Sequence, residues 1–314
     1  MKRSFLFFLF ASIIFVIFTQ LKISSSDTNN DNSELDSLQD LNQKTKVFSF
    51  DKPDSLNFAG ESVPIYSSEI WERFDNELLR NVYFQSNTLL YFKKANKFFP
   101  IIEPVLKEYG IPDDFKYLAV IESGLENVVS PSGAAGFWQI MKKTAKEYDL
   151  EINDDVDERY NLEKSTVAAC NYLNDAYKQF GEWTIAAASY NMGRAGISRR
   201  LKEQRVENYY DLYLNSETAR YIFRILAIKE ILQNPQKYGF VFKKKDLYMM
   251  PNYSTIEIDS SITNLYDFAD SQNINYKLLK KSNPWLRSSS LKNNSNKTYF
   301  IKIPTDSSLI FLEK

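Results

Sequence analysis

The 314-residue chain has no histidine and a single cysteine, Cys170. Without histidine, Ser-His-Asp and Cys-His nucleophilic systems and HExxH zinc sites are excluded. One cysteine makes neither an intramolecular disulfide nor a Cys-rich metal cluster. Neither a cofactor nor a metal is therefore expected, and acid–base chemistry near neutral pH falls to carboxylates, tyrosine or lysine. Charge excess is missing as well: 39 Lys and Arg face 40 Asp and Glu, a net charge of −1. With no basic footprint, no nucleic-acid partner is expected. Cys170 stands at helical spacing with Leu173, Tyr177 and Phe180, which makes it a core residue and not a nucleophile.

The hydrophobic share of 44% over 314 residues is enough for a catalytic domain and one small module. At the N-terminus Lys2 and Arg3 precede an uncharged apolar stretch from Phe5 to Phe18, an export signal over residues 1–22. Its apolar core is shorter than the roughly 20 residues that span a bilayer, yet no Ala-x-Ala cleavage site follows. A cleaved signal and a membrane anchor over residues 5–21 both stay open, and either places the chain in the periplasm or cell envelope. No cysteine follows the apolar run, so a lipoprotein anchor is not expected. Residues 23–66, rich in Ser, Asn, Asp and Thr without sustained period, predict a flexible linker.

Folded structure is expected from Ser67 or Ser68, the N-cap of a helix carrying Ile70, Trp71, Phe74 and Leu78. A second helix holds Leu89 to Phe98, and Pro100 and Pro104 punctuate a third that ends at Gly110. The stretch from Ile111 to Met141 then reads as a helix, a loop and a second helix. Pro112, Asp113 and Asp114 start the first, and Gly124 stops it. Phe115, Leu118, Ala119 and Glu122 share one stripe of it, so an acid lies on the apolar face. Burial and the negative end of the helix dipole would both raise the pKa of Glu122, the direction a general acid requires. The plainer reading is a carboxylate at a helix end that turns to water or caps a backbone N–H. Gly133 to Gly136 bring a nearly side-chain-free backbone up to a neighbour and leave room for a ligand. Phe137 to Met141 supply an aromatic platform and the amide of Gln139.

Farther on, the acidic run Glu151, Asp154, Asp155, Asp157 and Glu158 lacks the spacing of a calcium loop and predicts a solvated loop. Ser165 caps a helix ending at Gly181. The alanine-rich helix from Trp183 to Tyr190 follows, and Gly193 and Gly196 open a loop. Asn215 or Ser216 caps a long helix with Tyr221, Ile225, Ile228 and Leu232 on one face, stopped by Asn234-Pro235. Beyond residue 245 the pattern becomes strand (Thr255–Ile258), two short helices, and strand (Thr298–Ile303).

Four of these blocks carry a resemblance. Glu122-Ser123, then Ser-Pro-Ser-Gly-Ala-Ala-Gly-Phe-Trp-Gln ending at Gln139, then Ala188-Ser189-Tyr190-Asn191-Met192-Gly193, then Glu217-Thr218-Ala219-Arg220-Tyr221, resemble the motifs of lytic transglycosylases with a goose-lysozyme-like fold. The pattern resembles in particular the membrane-bound murein transglycosylase D type. The strand–helix–helix–strand tail resembles a LysM module, with Ser261 to Leu265 where the usual Gly-Asp-Thr-Leu would stand. Glycan binding and a merely structural role stay open for it.

The resemblance implies a mainly α chain, with a lysozyme-like helical catalytic domain over residues 67–245 and a small α+β (βααβ) LysM-like module over 246–314. It implies peptidoglycan strands as the partner. Glu122 would protonate the glycosidic oxygen between N-acetylmuramic acid and N-acetylglucosamine, then take the proton of the muramyl C6 hydroxyl. A 1,6-anhydro end would result. Ser123, Gly136, Gln139, Tyr190, Asn191 and Tyr221 would bind substrate or orient the acid. Two alternatives remain: a hydrolytic muramidase using Asp149 or Asp154 as base, and a catalytically silent wall-binding scaffold.

Overall fold

The computed structural model describes residues 47–305. The predicted signal or anchor and the first part of the predicted linker lie outside that range. Among the described residues, no helix is long and apolar enough to cross a membrane.

Structure begins earlier than the sequence suggests. Leu56–Phe58 (β1) and Glu61–Val63 (β2) form an antiparallel hairpin inside the stretch read as linker. Its turn residues Ala59 and Gly60 have φ of +53° and +85°, the left-handed pair of a tight two-residue hairpin turn. Phe58 is fully buried against Phe115, ring centroids 5.2 Å apart. Asp114 Oδ2 accepts from the Ala59 N–H at 2.7 Å and pairs with Lys229 at 2.7 Å. A hairpin of three-residue strands has too few alternating positions to be seen by period, and only its tertiary contacts hold it.

The helices are α1 (Ser68–Tyr83), α2 (Gln85–Glu108), α3 (Lys116–Ser123), α4 (Lys142–Glu147), α5 (Leu162–Phe180), α6 (Trp183–Met192), α7 (Arg194–Gln204) and α8 (Ser216–Gln233). Pro100 and Pro104 lie inside α2 and do not divide it. Both are exposed, so the carbonyls they leave without an N–H partner can face water. Asn161, not Ser165, caps α5, its side chain accepting from Lys164 N at 3.0 Å. Gly193 is the cap from which α7 starts at once, so the expected loop there is a helix. Residues 137–141, expected to begin a helix, are a turn closed by bridges of Ala135 to Val129 and to Ile140.

Helix α8 is the central element. Tyr221, Ile222, Phe223, Ile225, Leu226, Ala227 and Ile228 are all buried, so it is covered all round. It packs along α1, α3 and α6. Buried Glu77 of α1 accepts from Arg220 of α8 at 2.5 Å and 3.1 Å, which fixes the two helices in register.

The tail is as its pattern suggests: β3 (Tyr253–Ile258), α9 (Leu265–Ser271), α10 (Tyr276–Ser282) and β4 (Tyr299–Pro304), with β3 antiparallel to β4. Its core holds Leu265, Leu279, Trp285, Ile301 and Ile303, and it continues into Ala135, Val156 and Tyr160 of the helical part. The acidic run makes this joint. Asp155, Asp157 and Glu158 are buried, contrary to the expected solvated loop. Val156 bridges to Leu286, and Asp157 N–H donates to Trp285 O at 2.9 Å. Glu151 accepts from Lys297 Nζ at 2.6 Å and Tyr299 OH at 2.9 Å. The carboxylates stay buried because each has a charged or N–H partner.

Candidate active site

Helix α3 ends where the sequence puts its stop: Gly124 takes φ +62° and its N–H bonds to Val120 O at 2.8 Å. Glu122 is thus in the last turn, on a wall built by α8. The Tyr221 hydroxyl, fully buried, donates to Glu122 Oε1. Burial pushes the Glu122 carboxyl above its ordinary value, the Tyr221 hydrogen bond and the Arg224 charge pull it down, and the Glu217 charge pushes it up again. The net direction is up. Tyr190 and Tyr221 are both held well above the usual phenol range, by burial first and the Glu122 charge second, so both remain neutral donors.

A cavity of about 430 Å³ adjoins Tyr190. Gln139, Tyr190 and Asn191 line it, with Glu147, Tyr148, Tyr172 and Arg194. Tyr172 meets Tyr190 edge-on at 5.2 Å, its hydroxyl donates to Ser189 O at 2.7 Å, and Arg194 lies 5.5 Å over its ring. The phenol of Tyr148 bonds to Asp175 at 3.0 Å and, through burial above all, is pushed up to about 12. Aromatic faces with a few fixed polar groups suit a sugar ring.

The structure assigns different immediate partners to the other expected residues. Ser123 Oγ is 2.8 Å from Phe137 O and 3.1 Å from Ala119 O, and its single proton serves these carbonyls, so it pins the loop to α3 instead of touching Glu122. Gly136, at φ +80°, gives its space to protein: a Cβ there would lie 2.0 Å from Arg159 O. Gln139, itself at φ +47°, donates to Val128 O at 3.0 Å and Gly136 O at 2.8 Å, and among the described residues its side-chain oxygen accepts no hydrogen bond. Tyr190 OH donates to Trp138 O at 2.8 Å. Asn191 joins α6 to α8, donating to Glu217 Oε1 at 3.0 Å and accepting from Thr218 Oγ1 at 2.7 Å. Trp138 is not a platform: it is fully buried and its N–H donates to Thr166 Oγ1 at 2.9 Å.

Sequence reasoning gives Glu217 only as the first residue of its motif block and misses Arg224. Arg224 is three residues beyond Tyr221, one turn along the same helix face, and its Nη2 donates to Ile121 O at 2.6 Å. That spacing is the signal that could have found it. Asp149 and Asp154, the bases considered for hydrolysis, are exposed and do not line the cavity. Among the described residues, no cluster of three or more His, Cys, Asp or Glu could hold a metal.

Residues 99–212 match the family described as the transglycosylase SLT domain, and residues 254–307 match the soluble lytic transglycosylase C-terminal LysM-like domain. The chain is 31% identical over 140 residues to membrane-bound lytic murein transglycosylase D of Escherichia coli strain K12, covering 43% of this chain and 31% of that protein. The same figures hold for the protein of that name from E. coli O6:H1. The match thus spans about a third of the length of these relatives. Among solved structures, an inactive mutant of the lytic transglycosylase Slt from Pseudomonas aeruginosa has 18% identity and a TM-score of 0.35, covering 48% of this chain and 26% of that one.

Proposed function

We propose that this chain, which carries a transglycosylase SLT domain and then a LysM-like domain, cleaves peptidoglycan strands between N-acetylmuramic acid and N-acetylglucosamine without water. Glu122 is the acid and then the base. Its raised pKa keeps a proton available for the glycosidic oxygen, and the carboxylate left behind accepts the proton of the muramyl C6 hydroxyl as that oxygen closes on C1. One bond breaks, one forms, and the proton returns to Glu122, so neither water nor a cofactor enters the balance.

The observation that carries the reading is the Tyr221 hydroxyl donating to Glu122 Oε1, with the Glu122 charge acting on Tyr190, which lines the aromatic cavity although Glu122 and Tyr221 do not. A phenol kept neutral holds the carboxyl in one orientation and stabilises its anion after the first transfer. Tyr190 and Gln139 border the strand's path, and Asn191 holds Glu217 and Thr218 of α8 against α6. Ser123 and Gly136 act through the loop that presents Gln139. The proposed setting is the cell envelope, reached through the N-terminal signal.

Glu217 favours a second reading, since it is a carboxylate whose charge reaches Glu122. A base in that place could activate water and make the enzyme a hydrolytic muramidase. Mass spectrometry of digested cell wall decides. Anhydro-muramyl ends support the transglycosylase; reducing ends heavier by one water support hydrolysis.

A further inference from the structure

The loop 133–141 separates two cavities. Gln139 lines the cleft described above, whereas Phe137 lines a second cavity of about 160 Å³ between α2, the start of α5 and the LysM-like module. Phe98, Phe137 and Trp285 give it aromatic walls, and Lys97, Lys281 and Lys302 bring three ammonium groups. Lys302 is paired with Glu163, which also lines the cavity. Lys97 and Lys281 make no ion pair or hydrogen bond among the described residues. Burial and then the Lys281 charge hold the Lys97 ammonium below its usual value, so the two positive charges act on each other.

We propose that this pocket takes the carboxylate of a peptide stem carried by the strand in the cleft, with Lys97 and Lys281 as its ligands. The inference rests on the transglycosylase reading and adds a second point of attachment to it. Two unneutralised lysines facing one small, partly dry pocket repel, and a bound anion turns that repulsion into attraction. Neutral sugar offers no such gain, so the charge selects the peptide part of the wall and not its glycan. Phe137 and Gln139 are two residues apart, at most about 7 Å between Cα atoms, so the two cavities flank one loop, and a stem of three residues extends about 10 Å. Asn127 and Asn161, also in the lining, offer amides to the peptide backbone. The joint between the two domains thus forms a site that neither has alone.

The test uses the full chain with Lys97→Met and Lys281→Met, singly and together, which keep the apolar stems and remove the charges. Cleavage is measured on intact strands and on strands whose peptides an amidase has removed. The double variant is expected to raise KM on intact strands about tenfold with kcat unchanged, to leave KM on stripped strands as in wild type, and to melt at the wild-type temperature. Unchanged KM on intact strands, or an equal rise on both substrates, overturns the proposal. Lys281 is exposed, so Lys281→Met alone carries the test if the double variant folds poorly. If wild type cleaves neither substrate, the transglycosylase reading has failed. Calorimetric binding of the same two strand preparations then decides for the pocket: a wild-type preference for peptide-bearing strands that the variant loses supports it, and no preference overturns it.

Discussion

Gly136 and the Arg159 carbonyl occupy the same small space: a Cβ built on the glycine would stand 2.0 Å from that oxygen. The contact locks the loop carrying Gln139 to the turn that follows the acidic run. Arg159 reinforces it, donating to Gly133 O at 2.9 Å and Ile140 O at 3.2 Å while its other nitrogens grip Asp157 at 3.0 Å and 2.7 Å. Gly136→Ala must therefore move backbone, and its φ of +80° adds strain. The expected loss of stability is about 3 kcal/mol or more, read by denaturant unfolding. An unchanged midpoint would show that the loop has room to shift.

Glu61 of the hairpin caps α6 from a distance. Its carboxylate accepts from Trp183 N at 2.5 Å and from Thr184 N and Oγ1 at 2.8 Å and 2.5 Å, at the positive end of the helix that delivers Tyr190 and Asn191. Glu61→Ala is expected to cost about 1–2 kcal/mol, and Glu61→Gln less. Equal melting temperatures for all three proteins would leave the hairpin without this role.

The LysM-like module is a structural partner of the loop, sharing a core with Ala135. Removing residues 253–305 uncovers Val156, Ala135 and Tyr160 and leaves Glu151 and Glu158 without Lys297. Each fully buried apolar side chain exposed costs about 1.5–3 kcal/mol. The truncated protein should melt several degrees lower. Full retention of melting temperature and activity would make the joint incidental.

Tyr221→Phe deletes a hydrogen bond that lowers the pKa of a carboxyl already raised by burial. The alkaline limb of the pH profile should move upward, because the proton is held to higher pH, and kcat should fall because the product carboxylate loses its donor. A profile that moves down or stays put would mean that the phenol does not touch the titrating group.

The parts of this arrangement that depend on local pattern could be read from the chain. The Glu122 stripe, the Gly124 stop, the Asn215 cap and the strand–helix–helix–strand tail follow from period and turn chemistry over a few residues. What was illegible depends on contacts made far along the chain. Pro100 and Pro104 end a helix in isolation, but α2 continues because they face water. The acidic run reads as solvated until Arg159, Lys164, Lys297 and Tyr299 are brought to it. Gly133 to Gly136 read as room for a ligand, and part of that room belongs to a carbonyl 23 residues downstream of Gly136.

The most direct measurement is a comparison of wild type and Glu122→Gln on purified cell wall, by mass spectrometry of the soluble products and by thermal melting at several pH values. A carboxyl whose folded pKa is raised contributes stability that is present below its unfolded value and lost as pH rises through the folded one. Glu122→Gln removes that loss, so the variant should melt at the wild-type temperature or above it at neutral pH, the difference shrinking as pH falls. It should release no anhydro-muramyl products, while wild type releases them throughout the digest. Equal product release by the two proteins would contradict the assignment of Glu122 as the acid.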